Sequence, residues 1–489
     1  MNTSMIRYTL GHVLRLEGLF LILPLIIALM YQEQSGVYFL IVAIICFLVG
    51  LLLSFRKPKN TVFYLKEGCI ITSLSWIVLS IFGCLPFVLS GEIPDFTNAL
   101  FETVSGFTTT GASILSDIES LSHCMLFWRS FTHWIGGMGV LVFLLAIIPM
   151  GGGSNMNLMR AESPGPSVGK LVPKVHYPAR ILYIIYFGLT VLEIIFLLCG
   201  GIDWFNAITT SFATAGTGGF GIKNDSLMSY SAYAQWVVAI FMILFGVNFN
   251  AYYLLLFGNF KKALKFEEVK HYFLIIGLSV TVIFLNIVNT MDNALECLRH
   301  VVFQVGSIMT TTGFSTVDFD QWSQASKTIL VLLMFVGACA GSTGGGIKVS
   351  RFVILFKTII KEFNSYIHPK SVIKIKVEGK PVEHEVVRAV NVYFITFMTV
   401  FAGSVVLLSF EGHSLVTNFT AVIASLNNIG PGLELVGPTQ NFGIFSNFSK
   451  YILMIDMLAG RLELFPIIIL FQPSIWKDVI HKTFLFKRH

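Results

Sequence analysis

Ten apolar stretches, each long enough to cross the roughly 30 Å hydrocarbon core of a bilayer, run along this chain. They lie near residues 16–32, 36–55, 68–90, 123–149, 179–200, 231–258, 271–290, 326–360, 389–410 and 447–473. Water offers no way to bury that many, so the chain reads as an all-α, polytopic membrane protein. Only 12% of its 489 residues are charged and the mean hydropathy is +0.76. That is about half the usual charged fraction, too little polar surface for roughly three soluble domains. A soluble enzyme is excluded. The start, with Arg7 and Arg15 ahead of an apolar run, lacks a small-residue cleavage site and leads into a second apolar stretch. It reads as a membrane anchor, not a signal peptide. Seven cysteines, mostly in apolar runs and without a C-x-x-C pair, read as packing residues.

Charge tests this layout independently. With the N-terminus on the cytoplasmic side, 27 of the 33 Lys/Arg fall inside, five fall outside, and Arg461 lies within a span. Acidic residues lean outward, 14 against 10 inside and three within spans. A positive-inside bias of this size sets both termini in the cytoplasm. The net charge of +6 is therefore a topology signal, not a nucleic-acid signal. An acidic outer face would modestly enrich cations at an entrance.

Half-apolar segments, too short to cross, sit between the later spans and end in related strings. These are Ser105-Gly-Phe-Thr-Thr-Thr-Gly111, Ser211-Phe-Ala-Thr-Ala-Gly216, Ser307-Ile-Met-Thr-Thr-Thr-Gly313 and Ser425-Leu-Asn-Asn-Ile-Gly430. Three of the segments open on an acidic residue suited to a helix N-cap: Asp95, Asp203 and Asp292. The repeating unit is a span, a short re-entrant helix, a Thr/Gly turn and a second span. Two N-terminal helices (1–66) stand outside it. Four units follow, at 67–178, 179–270, 271–388 and 389–489, the last with a cytoplasmic tail.

A Thr/Gly turn at membrane depth leaves backbone carbonyls without helical partners, which is tolerated only where they line a water-filled path or meet an ion. Glycine permits the positive φ that turns successive carbonyls toward one axis. Four such turns can replace the hydration shell of a potassium ion. One Thr-Thr-Gly is weak evidence. Four in the same place between spans are strong.

On these strings the chain resembles the bacterial Trk/Ktr-type potassium transporters, most of all the membrane subunit of the Trk system, over nearly its whole length. The resemblance implies a K+ selectivity filter lined by Thr109, Thr110 and Gly111; by Thr214, Ala215 and Gly216; by Thr311, Thr312 and Gly313; and by Asn428, Ile429 and Gly430. In this superfamily a serine in place of the first glycine goes with sodium permeation, so Gly111 favours potassium. The resemblance also implies a homodimer, cytosolic nucleotide-binding regulatory subunits (RCK-type, TrkA-like), and residence in the bacterial inner membrane. No cofactor is expected on this chain beyond K+ as the transported ion.

Residues 326–360 would make a continuous helix of roughly 50 Å, too long for the membrane. Their middle carries Gly337, Gly341, Ser342, Thr343, Gly344, Gly345, Gly346 and Lys348, a composition that disfavours helix. We expect a broken helix with a flexible intramembrane loop below the filter, and the resemblance implies that this loop is a gate. Close helix packing through small residues is the plainer alternative. Lys348 would end the loop near the inner surface. Arg461 costs at least a few kcal/mol inside a membrane and needs a partner, Glu463 or Asp456, or a role. By resemblance it lies under the filter as an electrostatic barrier to cations. Glu193 reads as a paired or snorkelling residue, and His123 and His133 as interfacial or packing residues.

Gly216-Thr-Gly218-Gly-Phe-Gly221 fits G-x-G-x-x-G, and residues 341–346 have nearly Walker A spacing. Both lie between apolar spans with no βαβ unit around them, so neither reads as a nucleotide site. No metal cluster or catalytic constellation is convincing. Gated K+ permeation is the leading function. A Na+- or H+-coupled K+ symporter is the alternative, with Glu193, Asp456 and Glu463 as the candidate relay. The basic segments 151–178 and 361–388 are long enough to dock a partner.

Overall fold

The computed structural model of this protein describes residues 1–60, 64–139, 178–256, 258, 266–371 and 374–476. Most of segment 151–178, the Lys261/Lys262/Lys265 cluster and the last thirteen residues lie outside that set. Among the described residues the fold is almost entirely helical, with one short antiparallel hairpin.

Helices α1 (Thr3–Phe20) and α2 (Ile22–Tyr31) run as one 29-residue rod, beginning well before the expected start near residue 16. Helix α3 (Gly36–Ser54) packs back on α1 through small residues. A Cβ on Gly11 would lie 2.7 Å from the Gly50 carbonyl oxygen, and one on Gly18 would lie 3.1 Å from that of Ala43. Such approaches bring backbones close enough for dispersion to hold helices together where water cannot drive them.

The remainder follows one pattern four times. In the first unit α4 (Leu65–Gly83) and α5 (Leu85–Ser90) precede the short α6 (Phe96–Phe107), and α7 (His123–Met138) follows it. In the second, α8 (Pro178–Cys199) and the short α9 (Trp204–Ala215) lead to α10 (Ala232–Phe245) and α11 (Phe249–Leu256). The third has α12 (Glu267–Ile287), short α13 (Ala294–Met309), α14 (Gln324–Val336) and α15 (Val349–Ile367). Strands β1 (Lys376–Val377) and β2 (Lys380–Pro381) lead into the fourth unit: α16 (His384–Ser409), short α17 (Leu415–Leu426), α18 (Asn447–Arg461) and α19 (Phe465–Leu470).

Capping explains where the short helices begin. Asp95, Asp203 and Ser414 accept hydrogen bonds from the backbone N–H three residues on, at 2.8, 3.1 and 3.1 Å. In the third unit the cap is Asn293, bonded by the N–H of Leu295 at 2.9 Å, not its neighbour Asp292. The helix after each turn is preceded by a serine: Ser122, Ser231, Ser323 and Ser446. The last three cap with their own hydroxyls. At Ser122 the carboxylate of Glu33 does the work, accepting from the N–H groups of His123 and Cys124 at 2.7 and 3.0 Å.

Among the described residues six helices are long and apolar enough to cross a membrane, and α10 with α11, bent by 92°, makes a seventh if the pair is one span. Large apolar side chains such as Leu278, Leu285 and Ile395 face outward, more than half exposed, as a lipid-facing surface requires. The helices after the turns are interrupted: at residues 246–248, at 337–348 and at 462–464. The first unit's counterpart stops at Gly139, with φ +83°, where the described segment ends. Ten unbroken spans are therefore not what the described residues form. The helices preceding the turns run through; those following them break.

Candidate functional site: four turns and the loop beneath them

Each short helix ends in the same turn. In the first unit the N–H groups of Thr108, Thr109 and Thr110 bond to the carbonyls of Val104, Gly106 and Ser105. The third unit repeats this at Thr310, Thr311 and Thr312, and the fourth at Asn427, Asn428 and Ile429. In the second unit the equivalent residues are Gly216, Thr217 and Gly218. The backbone agrees, because Thr109, Thr217, Thr311 and Asn428 all have φ between 53° and 60°. The glycine two residues on is Gly111, Gly219, Gly313 or Gly430, each again with positive φ.

This corrects the sequence reading of the second unit. Thr214 and Ala215 are the last turn of helix α9, with the Thr214 hydroxyl bonded back to the Thr210 carbonyl at 2.9 Å. The turn proper is Thr217-Gly218-Gly219, three residues later. The string ending at Gly216 resembled its siblings in composition, but helix α9 extends through it. The paired glycines at 218 and 219 carried the true signal.

The four turns close on one another. A Cβ placed on Gly111 would lie 2.0 Å from the Gly218 carbonyl oxygen, one on Gly219 2.0 Å from that of Thr312, one on Gly313 2.0 Å from that of Ile429, and one on Gly430 2.8 Å from that of Thr110. Each glycine thus backs onto the next unit, and the fourth returns to the first. No side chain fits at these contacts. Among the described residues, the carbonyls of Thr109, Thr110, Thr217, Gly218, Thr311, Thr312, Asn428 and Ile429 accept no hydrogen bond. Eight bare carbonyls around one axis are an oxygen-rich site for a cation. The Asn428 amide ties the seam, donating to the Thr110 hydroxyl and to the Met457 carbonyl, both at 2.9 Å.

A cavity of about 120 Å³ lies on the glycine side of the ring and touches all four glycines. Its wall includes Arg129 and Lys223 and no carboxylate, so the acidic residues expected at the entrance do not line it. Arg129 is itself a residue the sequence reading passed over. Buried in α7, it pairs with buried Glu102 of α6 at 2.7 Å, donates to the Gly221 carbonyl at 3.0 Å and lies over the Phe220 ring at 4.1 Å. Glu102 also accepts from the Ser113 hydroxyl and the Ile114 N–H, at 2.9 and 3.0 Å. The pair braces the chain just after two of the turns. A lone charge in each of two apolar helices was its signal, since neither could be buried without the other. His133, also buried, bridges the same two units through the Gly106 carbonyl and the Phe220 N–H, a packing role as expected. His123 stacks on Tyr31, with ring centroids 3.9 Å apart.

On the other side of the ring lies a cavity of about 310 Å³, bounded by Gly341, Ser342, Gly344, Lys348, Arg461 and Glu463. Twelve residues, 337–348, separate α14 from α15. This segment is a helix break, as expected, and hydrogen bonds tie it to its neighbours. The Gly345 N–H donates to the Thr311 hydroxyl at 2.6 Å. The Cys339 N–H bonds to the Gly246 carbonyl at 3.1 Å, and the Phe249 N–H to the Gly341 carbonyl at 2.9 Å. Lys348 does not reach the surface: it is buried, with its ammonium donating to the Gly344 carbonyl inside the loop.

Arg461 ends α18 beneath the ring, where the helix C-terminus favours a cation. Its guanidinium donates to the Thr109 hydroxyl at 3.2 Å, the Thr343 carbonyl at 2.9 Å, and the Gly136 and Gly137 carbonyls at 2.5 and 2.7 Å. One side chain thus ties ring, loop and the end of α7. Glu463, its suggested partner, pairs with Arg351 instead. Asp456 accepts from the Ser404 hydroxyl at 2.9 Å. Glu193 is fully buried, so its carboxylate does not reach out of the protein. The nucleotide-like strings are the second turn and the loop. Among the described residues no cluster of three metal-ligating side chains occurs.

A family model described as "TrkH: Cation transport protein" matches residues 35–478. The Trk system potassium uptake protein TrkH of Salmonella typhimurium is 36% identical over 467 residues, covering 94% of this chain and 96% of that protein. Its counterpart from Halomonas elongata is 33% identical, covering 98% and 100%. The crystal structure of the potassium transporter TrkH from Vibrio parahaemolyticus superposes with a TM-score of 0.88 at 31% identity, covering 97% of this chain and all of that one.

Proposed function

The chain belongs to the TrkH family of cation transport proteins, and from that premise we propose how it moves its ion. It is a multi-pass transporter of the inner membrane, not an enzyme, and takes up potassium as the membrane subunit of a Trk-type system. K+ is its cargo. We propose that hydrated K+ enters the cavity on the glycine side, sheds water among the carbonyls of the four turns, and leaves through the cavity beneath. The observation that carries this reading is the closed ring, with eight carbonyls that accept no hydrogen bond among the described residues. The filter is then Thr109 to Gly111, Thr217 to Gly219, Thr311 to Gly313 and Asn428 to Gly430.

The gate is the segment 337–348. Its support is that the loop lies against Thr311 and shares Arg461 with Thr109, so an ion leaving the ring meets backbone and a fixed positive charge. Opening requires the loop to move aside, after which Arg461 sets the remaining electrostatic barrier. The proposed layout is two leading helices and four span–turn–span units. The Lys/Arg bias supports cytoplasmic termini, with the glycine side outward. A homodimer and a cytosolic nucleotide-binding regulatory ring complete the proposed assembly. The basic stretch around Lys361, Lys370, Lys374 and Lys376 is one docking surface for it.

Ion-coupled symport is the second reading. Two buried carboxylates favour it: Glu193, against Thr214, and Asp456, one of whose oxygens has no hydrogen-bond partner among the described residues. Glu463 is held by Arg351 and serves it poorly. Radioactive rubidium uptake into proteoliposomes distinguishes the two. Gated permeation gives uptake that K+ suppresses, Na+ does not, and a protonophore leaves unchanged. Uptake that requires a Na+ or proton gradient overturns it in favour of symport through Glu193 and Asp456.

A further inference from the structure

The loop's neck is closed by backbone bonds. The Lys348 N–H bonds to the Val336 carbonyl at 3.0 Å and the Val349 N–H to that of Ala338 at 3.1 Å. Beside this neck lies a carboxylate from another helix. Glu268, in the first turn of α12 and 9% exposed, accepts at one oxygen from the N–H of Ala340 at 2.7 Å and from that of Ser350 at 3.1 Å. Ala340 lies in the first limb of the loop and Ser350 on the helix leaving it. The other Glu268 oxygen faces the Asn248 amide at 3.5 Å, in the break of the second unit.

Helix α15 needs this help. Its N-cap position is occupied by Lys348, which carries only donors, and its first turn has no acidic residue. The free N–H groups of a helix start attract a carboxylate, and Glu268 supplies it from outside. The same helix turn reaches the lower surface. Neighbouring Glu267 pairs with Lys357 of α15 and accepts the N–H of Glu378, at the tip of the β1–β2 hairpin, at 3.1 Å. The Lys357 ammonium also donates to the Lys376 carbonyl at 2.7 Å.

We infer that Glu268 is a positioning residue that staples both ends of the loop shut, and that the hairpin at 376–381 is the handle through which a load on the lower face reaches that staple. This rests on the loop being the gate. A partner pulling the hairpin away would shift Glu267 and the turn carrying Glu268, withdrawing the cap from α15 and freeing the neck without touching the ring.

The test is rubidium flux into proteoliposomes holding the full-length chain alone, with hydrogen exchange read on the same samples. E268A should raise basal flux about tenfold, equivalent to about 1.4 kcal/mol, and lower the protection of the Ala340 and Ser350 amides while that of Thr312 stays. E268Q keeps an acceptor oxygen and should return both readouts most of the way to the parent. K357A, which loosens only the handle, should raise flux about threefold. Should E268A fail to fold, E268D carries the same test, since it keeps the charge but is one methylene too short to span both amides. A deletion of Gly344 and Gly345 separates the two layers of the argument. If the deletion leaks while E268A or E268D stays at the parent's flux, the staple is wrong and the gate stands. If the deletion does not leak, the gate reading fails and takes the staple with it.

Discussion

The ring and the layer directly beneath it are built on opposite plans. In the ring, four turns repeat the same three backbone bonds, their second residues share φ within a few degrees, and each glycine closes on the next unit. Beneath it, the four descending helices each break differently. One stops at Gly139, one bends across 246–248, one opens into twelve residues, and one breaks at 462–464, just past Arg461. An ion held by carbonyls from all sides needs equal walls. A closure needs only one wall that differs. On the proposed reading, the repeat is kept where coordination demands it and abandoned one layer lower.

The largest test of that contrast is the brace behind the ring. R129A would leave the buried Glu102 carboxylate without its counter-charge, a loss of about 3–5 kcal/mol, seen as a collapse of thermal stability and of rubidium uptake. A stable, active R129A would mean the ring does not lean on the pair. One substitution tried in both layers comes next. G111A puts a Cβ 2.0 Å from the Gly218 carbonyl oxygen, whereas G341A, also at positive φ, finds its nearest atom at 3.4 Å. Uptake and thermal stability should both collapse for G111A, uptake by more than about tenfold, whereas G341A should lose stability only by the strain of the αL backbone, roughly 1 kcal/mol. Equal losses would erase the difference between the layers.

R461Q should raise basal flux about fivefold. It removes the charge beneath the ring and weakens bonds each worth about 1 kcal/mol. Unchanged flux would deny Arg461 any part in closure. The register of the second turn predicts a small effect for T214A, with Na+ and K+ competition altered less than about twofold, because that hydroxyl is spent inside helix α9. A T214A protein with relaxed selectivity would restore the earlier register.

The smallest effect concerns the far surface. Burial pushes Glu33 up, but the N–H groups of Cys124 and His123 and the His123 ring outweigh it and hold the carboxyl below its ordinary value of 4.5. A depressed carboxylate stabilises above its unfolded pKa, and that contribution is lost as pH falls through the lower folded value. Between pH 5 and 3 the parent should therefore lose more thermal stability than E33Q. A parallel decline would remove Glu33 from the cap of α7.

Hydrophobic length and the repeated Thr/Gly strings made the helical membrane fold readable, because both are local and repeated. The break at 337–348 was readable for the same reason: five glycines in the ten residues 337–346 oppose a helix wherever they fall. What stayed hidden depends on contacts between units. Thr217 could not be told from Thr214 without the helix that ends between them. The partners of Arg461 include backbone carbonyls of α7 and the loop, which no side-chain pattern announces. Glu102 and Arg129 lie 27 residues apart, and Glu268 meets Ala340 across 72. The four serines at 122, 231, 323 and 446 were a legible repeat marker that the Thr/Gly strings overshadowed.

Because the ring is wound from one chain, every substitution in it alters a single wall. In an assembly of four identical subunits the smallest possible change is fourfold, and most such changes are ruinous. Here Asn428 can stand where the other three units carry threonine, and Gly218 where two of them carry threonine again, while the remaining walls keep their chemistry. Ion preference in such a pore can drift in quarter steps, with intermediates that still conduct.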